Sequence, residues 1–178
     1  MATIKVLDKV FEPYISHEKI DTAIKKMVID LERDLADTNP LFLVILNGAF
    51  MFAGDLFKKL HFPAEISFIK FVSYSGTQST GHVRQLMGLD ESVEGRTVVL
   101  VEDIVDTGIS MEKVLEYLSD KKIKELRIAT LLFKPNSYQK HFKIDYVGLE
   151  IPNDFIIGYG LDYNGQARNL EDIYKIVQ

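Results

Sequence analysis

Three carboxylates and two hydroxyls crowd the end of the run Val98-Val99-Leu100-Val101-Glu102-Asp103-Ile104-Val105-Asp106-Thr107-Gly108-Ile109-Ser110. Val98 to Val101 suit a strand covered on both faces, and helical spacing resumes from Met111 to Leu118. The acids and the turn therefore fall between a strand end and a helix start, where backbone N–H groups are free. Asp106, Thr107, Gly108, Ile109 and Ser110 can cradle a monophosphate through backbone donors, two hydroxyls and the positive end of the helix dipole. Glu102 and Asp103 suit ribose hydroxyls or a magnesium-bound water, because vicinal diols and hard cations both take carboxylate oxygens. An isolated Asp-Thr-Gly reads as a solvated strand end with an N-cap aspartate; the whole run points to a phosphorylated sugar.

The run matches neither Gly-x-x-x-x-Gly-Lys-Ser/Thr nor Gly-x-Gly-x-x-Gly, since acids stand where those loops carry glycines. A hydrophobic strand, Glu-Asp, two residues, Asp-Thr-Gly and a further hydroxyl resembles the signature of the type I phosphoribosyltransferases for 5-phosphoribosyl 1-diphosphate, with Ser110 in place of the commoner Thr. Leu46-Asn47-Gly48-Ala49 follows another buried strand and opens a helix, so its N–H groups face the same crevice and can bind a diphosphate. In the resembling purine enzymes this turn is often Leu-Lys-Gly with a cis peptide. The same bond is expected between Leu46 and Asn47, where Asn47 keeps the backbone contacts and loses the charge. Taken alone, the segment is a tight strand-to-helix turn.

Ser73 to Arg96 is a long connection with a small, polar centre, and connections of that length tend to be lids or disordered segments. Ser73 and Tyr74 match the Ser-Tyr that begins the lid of the purine-type family, and a closed lid would keep water from an ionising sugar. Val83 to Met87 also reads as a strand pairing back on Glu65 to Phe71. Lys134 ends an aliphatic strand just before Pro135, which stops the strand; alone it is a solubilising charge. Asp154-Phe155-Ile156-Ile157-Gly158-Tyr159-Gly160-Leu161-Asp162-Tyr163 resembles the purine-recognition segment of hypoxanthine-guanine phosphoribosyltransferases. The resemblance implies that Phe155 stacks on the purine, Lys134 donates to its O6, and Ile156 offers backbone groups to its edge. It also implies that Asp162 meets a second magnesium through water and that Arg168 binds the diphosphate. Without that resemblance, Phe155 reads as core and Arg168 as a surface charge.

These residues need a scaffold that aims them at one place. Ser16 is a fitting N-cap for a helix whose apolar face is Ile20, Ile24, Met27, Val28, Leu31 and Leu35, ending before Asn39-Pro40. Leu41 to Leu46 reads as a buried strand, Phe50 to Leu60 as helix, Glu65 to Tyr74 and Thr97 to Val101 as strands, and Gly108 to Ser119 as helix. Leu126 to Phe133, Tyr146 to Glu150 and Phe155 to Tyr159 complete the strands. Strands alternating with helices predict an α/β fold: a doubly wound, mostly parallel sheet with helices on both faces and ligand at the carboxyl ends of its strands. The type I resemblance adds a small hood made from the chain termini.

The 178 residues suit one phosphoribosyltransferase domain over 1–178, with no linker, repeat or low-complexity tract. No apolar run approaches the roughly 20 residues of a membrane span, and the first residues lack a signal-peptide core, so a cytoplasmic protein is expected. The absence of cysteine removes disulfides, thiolate nucleophiles and Cys-based zinc sites. A net charge of −5 argues against nucleic acid as the main partner, and the four separated histidines suggest no metal site. The resemblance, from Leu41 to Leu170, implies transfer of the phosphoribosyl group to N9 of hypoxanthine or guanine, with Mg2+, in purine salvage. Asp106 is then the base for the purine N7 proton, or a carboxylate stabilising positive charge there. Phosphoribosyltransferases for xanthine or uracil, and a non-catalytic sensor of the sugar diphosphate, are the alternatives. A homodimer or homotetramer is expected, with Phe50, Phe52, Phe57 and Phe62 as interface candidates.

Overall fold

Aliphatic runs separated by amphipathic stretches produce, in the computed structural model, two sheets of opposite character; residues 2–73, 83–87, 89 and 92–177 are described. The larger sheet has six strands in the order β5-β4-β3-β6-β7-β8. Its strands are β3 (Leu41–Leu46), β4 (Glu65–Ser73), β5 (Val83–Met87), β6 (Thr97–Val105), β7 (Glu125–Phe133) and β8 (Tyr146–Glu150). β3 pairs in parallel with β4 and β6, β6 with β7, and β7 with β8, while β5 turns back antiparallel on β4. The pairing of Val83–Met87 onto β4 follows the sequence expectation, with Ser73 opposite Val83.

Helix α1 (His17–Leu35) begins where Ser16 Oγ accepts from the Lys19 amide at 3.4 Å. Its buried side chains, from Ile20 through Leu35, recur at three- and four-residue spacing and form a single stripe. With α2 (Phe50–Phe57), that stripe covers one sheet face, packing on Phe42, Val44, Val99, Val101, Ala129 and Leu131. Helix α3 (Ile109–Leu118) covers the other face, setting Met111, Val114 and Leu118 against Leu41, Leu43, Val98, Leu100 and Ile128. Alternate strand residues thus serve opposite cores, as a sheet buried on both faces requires. Leu31 is fully buried, so Leu31→Ala would cost about 2–5 kcal/mol.

The second sheet is antiparallel, in the order β1-β2-β10-β9: β1 (Ile4–Val6), β2 (Lys9–Ile15), β9 (Ile156–Ile157) and β10 (Ile173–Ile176). It corrects the placement of Phe155 to Tyr159 among the strands of the alternating sheet. Only Ile156 and Ile157 are strand, and they pair with β10. Gly158, Tyr159 and Gly160, all at positive φ, then turn the chain away. Two further boundaries differ from expectation. α2 stops at Phe57, because the Lys59 and Leu60 amides close three-residue turns onto Leu56 and Phe57. β6 runs on through Glu102 and Asp103 to Val105, because β7 continues to pair with it there.

Among the four phenylalanines expected at an interface, Phe52 is corrected to a core residue. Phe52 is fully buried, and Phe57 and Phe62 pack on the same core, which leaves Phe50, 46% exposed, as the outward-facing ring of the four.

Candidate active site

The carboxyl ends of β3, β6 and β7 open on one cavity of about 420 Å3, roofed by the segment around β9. At the end of β3 the Leu46–Asn47 peptide is cis, as expected. Gly48 is held against two neighbours. A Cβ on it would collide with the Asp103 carboxylate, and a Cβ on Gly160 would collide with the Gly48 carbonyl oxygen. The turn at 46–48 therefore touches both the acid pair and the base-recognition segment, and only glycines fit the two contacts.

Parallel register brings Asp106 and Lys134 together. Val105 is paired with Phe133, and the Lys134 amide donates to the Val105 carbonyl at 3.0 Å, so the next residue of each strand emerges side by side. Lys134 Nζ lies 2.9 Å from Asp106 Oδ2. The lysine is 7% exposed, and the aspartate faces the cavity. A buried ammonium needs such a partner, because an unpaired charge there would be costly.

Glu102 and Asp103 line the same cavity. Burial pushes the Glu102 carboxyl well above the usual carboxylate range, and the neighbouring Asp103 adds to the shift. Burial likewise pushes Asp103 up to about 6, opposed by the Ile104 amide that donates to its Oδ1 at 2.8 Å. Glu102 Oε2 is buried with no hydrogen-bond partner. Two adjacent carboxyls with no direct ion-pair contact among the described residues, one with an orphaned oxygen, fit a hard divalent cation. Among the described residues no group of three or more His, Asp or Glu side chains closes around an ion. Magnesium suits such a half-open site, since it keeps water and takes substrate oxygens as its remaining ligands.

The turn after β6 forms a smaller cavity of about 220 Å3, lined by Asp106, Thr107, Gly108 and Ser110 among others. Gly108, at φ 83°, is the N-cap of α3 and supplies no side-chain cap. Thr107 Oγ1 accepts from the Ile109 amide at 3.4 Å, while Ile109 and Ser110 are exposed, Ser110 at the cavity edge. Across the larger cavity Phe155 is 46% exposed, and Ile156 is buried beside it. The Phe155 ring rests against Tyr163 at 5.9 Å, edge to face, and against Phe11 of β2 at 6.3 Å. Asp162 accepts from the Gly165 amide at 2.7 Å and from Arg168 at 2.6 Å, and Arg168 also donates to the Gly160 carbonyl at 2.6 Å.

The cavity thus collects Leu46, Asn47, Gly48, Glu102, Asp103, Asp106, Ser110, Lys134, Phe155, Ile156, Asp162 and Arg168. Thr107 and Gly108 belong to the adjoining cradle, and Ile109 carries the helix out of it. Ser73 ends β4, whereas Tyr74 and the rest of the expected lid, 74–82, lie outside the described residues. Phe71 and Lys113 also line the cavity, and the sequence reading missed them. Lys113 follows Ser110 by one helical turn, a spacing that placed it on the same face.

A family profile described as the phosphoribosyl transferase domain matches residues 14–164. The hypoxanthine-guanine phosphoribosyltransferase of Bacillus subtilis is 40% identical over 157 residues, 88% of this chain and 87% of that protein. The protein of the same name from Mycobacterium avium is 38% identical over 161 residues, 84% of this chain and 79% of its own length. A crystal structure of a hypoxanthine phosphoribosyltransferase from Staphylococcus aureus superposes with a TM-score of 0.87 at 36% identity, covering 93% of this chain and 91% of that one. The chain belongs to the phosphoribosyltransferase family, among relatives named hypoxanthine-guanine phosphoribosyltransferases.

Proposed function

We propose that the protein transfers the 5-phosphoribosyl group of 5-phosphoribosyl 1-diphosphate to N9 of hypoxanthine or guanine, in purine salvage, giving IMP or GMP and diphosphate. The observation that carries the base assignment is the Lys134–Asp106 pair, 2.9 Å apart in the cavity beside Phe155. The N7 and O6 atoms of a 6-oxopurine stand next to each other on one edge. An ammonium donating to O6 and a carboxylate accepting from N7–H match that edge as a donor and acceptor side by side. Adenine would set its amino donors against the Lys134 donors and leave both unpaired. Phe155 offers a ring face for stacking, an interaction worth about 1–3 kcal/mol per base.

In the reaction the bond from the anomeric carbon to the diphosphate oxygen breaks and a bond to N9 forms. The diphosphate leaves with the bonding pair, and the N7 proton passes to Asp106. Asp106, Thr107, Gly108, Ile109 and Ser110 hold the 5-phosphate, with the start of α3 supplying amide donors. The Leu46-Asn47-Gly48 turn and Arg168 face the diphosphate, Arg168 exchanging its contacts to Asp162 for the anion. Glu102 and Asp103 hold the ribose hydroxyls or a Mg2+ ion, and the two free lone-pair sites of Asp162 can reach a second ion through water. The ion, when bound, neutralises charge on the departing diphosphate. Phe11 and Tyr163 hold Phe155 at the cavity wall.

No helix among the described residues is long and apolar enough to cross a membrane, and the proposed substrates are soluble, so we place the enzyme in the cytoplasm. We take the working unit as a homodimer or homotetramer, which sedimentation of the purified chain tests. The function itself is tested by product formation from 5-phosphoribosyl 1-diphosphate and Mg2+ with hypoxanthine, guanine, xanthine, adenine and uracil in separate reactions. Product with hypoxanthine or guanine, none with adenine or uracil, and loss of all product on chelation of the metal is the expected result. Binding of the sugar diphosphate without product from any base would make the protein a sensor instead.

A further inference from the structure

Three cationic side chains line the larger cavity: Lys113, Lys134 and Arg168. Two of them are committed. Lys134 is paired with Asp106 at 2.9 Å, and Arg168 with Asp162 at 2.6 Å. Lys113, half-buried in α3, has no ion-pair or hydrogen-bond partner among the described residues. Glu102 and Asp103 also line the cavity, so four carboxyls stand there beside the three cations. With Lys134 and Arg168 each already paired to a carboxylate, Lys113 is the cation in this lining left open to an incoming polyanion.

The turn that faces the diphosphate, Leu46-Asn47-Gly48, contains no cation. Lys113 lines the same cavity as that turn. Side chains on a helix lean toward its N-terminus, so the Lys113 stem lies over the turn that begins at Ser110. Ile45, Phe71 and Val114 share this wall, which lets the methylene stem pack on apolar surface while the ammonium stays in the cavity. The adjoining monophosphate cradle shares Asp106 and Ser110 with the larger cavity but is not lined by Lys113. The ammonium thus opens on the same cavity that Ile45 and the 46–48 turn line.

We infer that Lys113 is a direct ligand of the diphosphate group, supplying from α3 the positive charge that the turn at Asn47 lacks. The inference rests on the phosphoribosyl transfer proposed above and assigns a residue to the leaving-group end of that site. A flexible point charge suits the role, because the diphosphate must be held during bond breaking and then released.

The test compares the wild type with Lys113→Met, Lys113→Arg and Lys26→Met, the last removing an exposed charge on α1 as a control for net charge. Steady-state KM for 5-phosphoribosyl 1-diphosphate, and inhibition by inorganic diphosphate and by GMP, are measured with Mg2+, alongside thermal melting. Lys113→Met should raise that KM and weaken inorganic diphosphate by about tenfold, the size of one lost charge-assisted contact. Inhibition by GMP, KM for the base and the melting temperature should stay at wild-type values. Lys113→Arg should recover most of the loss, and Lys26→Met should show none. Unchanged inhibition by inorganic diphosphate in Lys113→Met overturns the inference, as does a loss confined to GMP, which would move the lysine to the monophosphate. A wild type that forms no product with any base overturns the proposed function instead.

Discussion

Lys134 and Asp106 are 28 residues apart in sequence, yet their charged atoms lie 2.9 Å apart because each is the first residue beyond a pair of neighbouring parallel strands. The ion pair places an acceptor and a donor on one edge of the cavity, and in the free protein each satisfies the other. The base must then take over both contacts together. Asp106→Asn should lower kcat by about 10²–10⁴ while leaving KM for the sugar diphosphate nearly unchanged, since positioned proton transfer is worth about that much. Lys134→Ala should cut kcat/KM for hypoxanthine and guanine by about ten- to hundredfold, the value of a hydrogen bond to a charged group. An equal fall with every base would remove Lys134 from base selection.

Tyr163 reaches back to the amino-terminal hairpin. Its hydroxyl donates to Asp8 Oδ1 at 2.8 Å, and its ring stands edge to face against Phe155. The bond pulls the Asp8 carboxyl below its ordinary range and pushes the Tyr163 hydroxyl up. Tyr163→Phe keeps the ring and loses the tether, so KM for the purine should rise severalfold, with KM for the sugar diphosphate unmoved. Asp8→Asn should behave alike. In the double variant the two losses should not add, because they remove one shared interaction. Additive losses in steady-state kinetics would count against the tether.

The larger sheet was legible because its strands are aliphatic runs, and the Glu102 to Ser110 segment carried its own chemistry. The contact between Lys134 and Asp106 was not legible, since it depends on strand register rather than on spacing along the chain. β2 escaped notice because Lys9, Glu12 and Pro13 interrupt its apolar pattern, and Pro13 argues against a central strand. Its partner β10 lies at the far end of the sequence. Phe52 reads like Phe50 by residue type, and only the position of α2 on the sheet sends one ring into the core and leaves the other outside. Lys113 sits among ordinary helix residues, and its one-turn spacing from Ser110 gains meaning only from the cavity that both line.

The buried acids should leave a stability signature in the metal-free protein. Asp103 climbs from 3.8 to about 6 on folding, mainly through burial. Between those values the folded state holds a proton that the unfolded chain releases, so stability falls as pH rises through that window. Above it the full cost stands, about 3 kcal/mol. Asp103→Asn removes the charge and keeps an oxygen for the Ile104 amide. It should therefore melt higher than the wild type near pH 8, and the difference should vanish below about pH 4. Turnover should fall even as stability rises. Melting curves that run parallel at every pH would show that Asp103 carries no folding cost.

Gly160 ties the base-recognition segment to the diphosphate turn, and its replacement should damage both. Its φ is 97°, a conformation that side chains rarely adopt, and an added methyl would meet the Gly48 carbonyl oxygen. That oxygen is backbone and belongs to a turn already pressed against Asp103, so it has little room to yield. Gly160→Ala should cost about 1–3 kcal/mol of stability from the backbone conformation alone. Any shift that relieves the clash moves the 46–48 turn, so KM should rise for both substrates. This distinguishes it from Tyr163→Phe, which affects the base alone. Gly165, also at positive φ, has no atom near where its Cβ would stand, so Gly165→Ala serves as the control for backbone strain without collision. If both glycine variants shift the two KM values equally, backbone strain rather than the contact with Gly48 sets the effect.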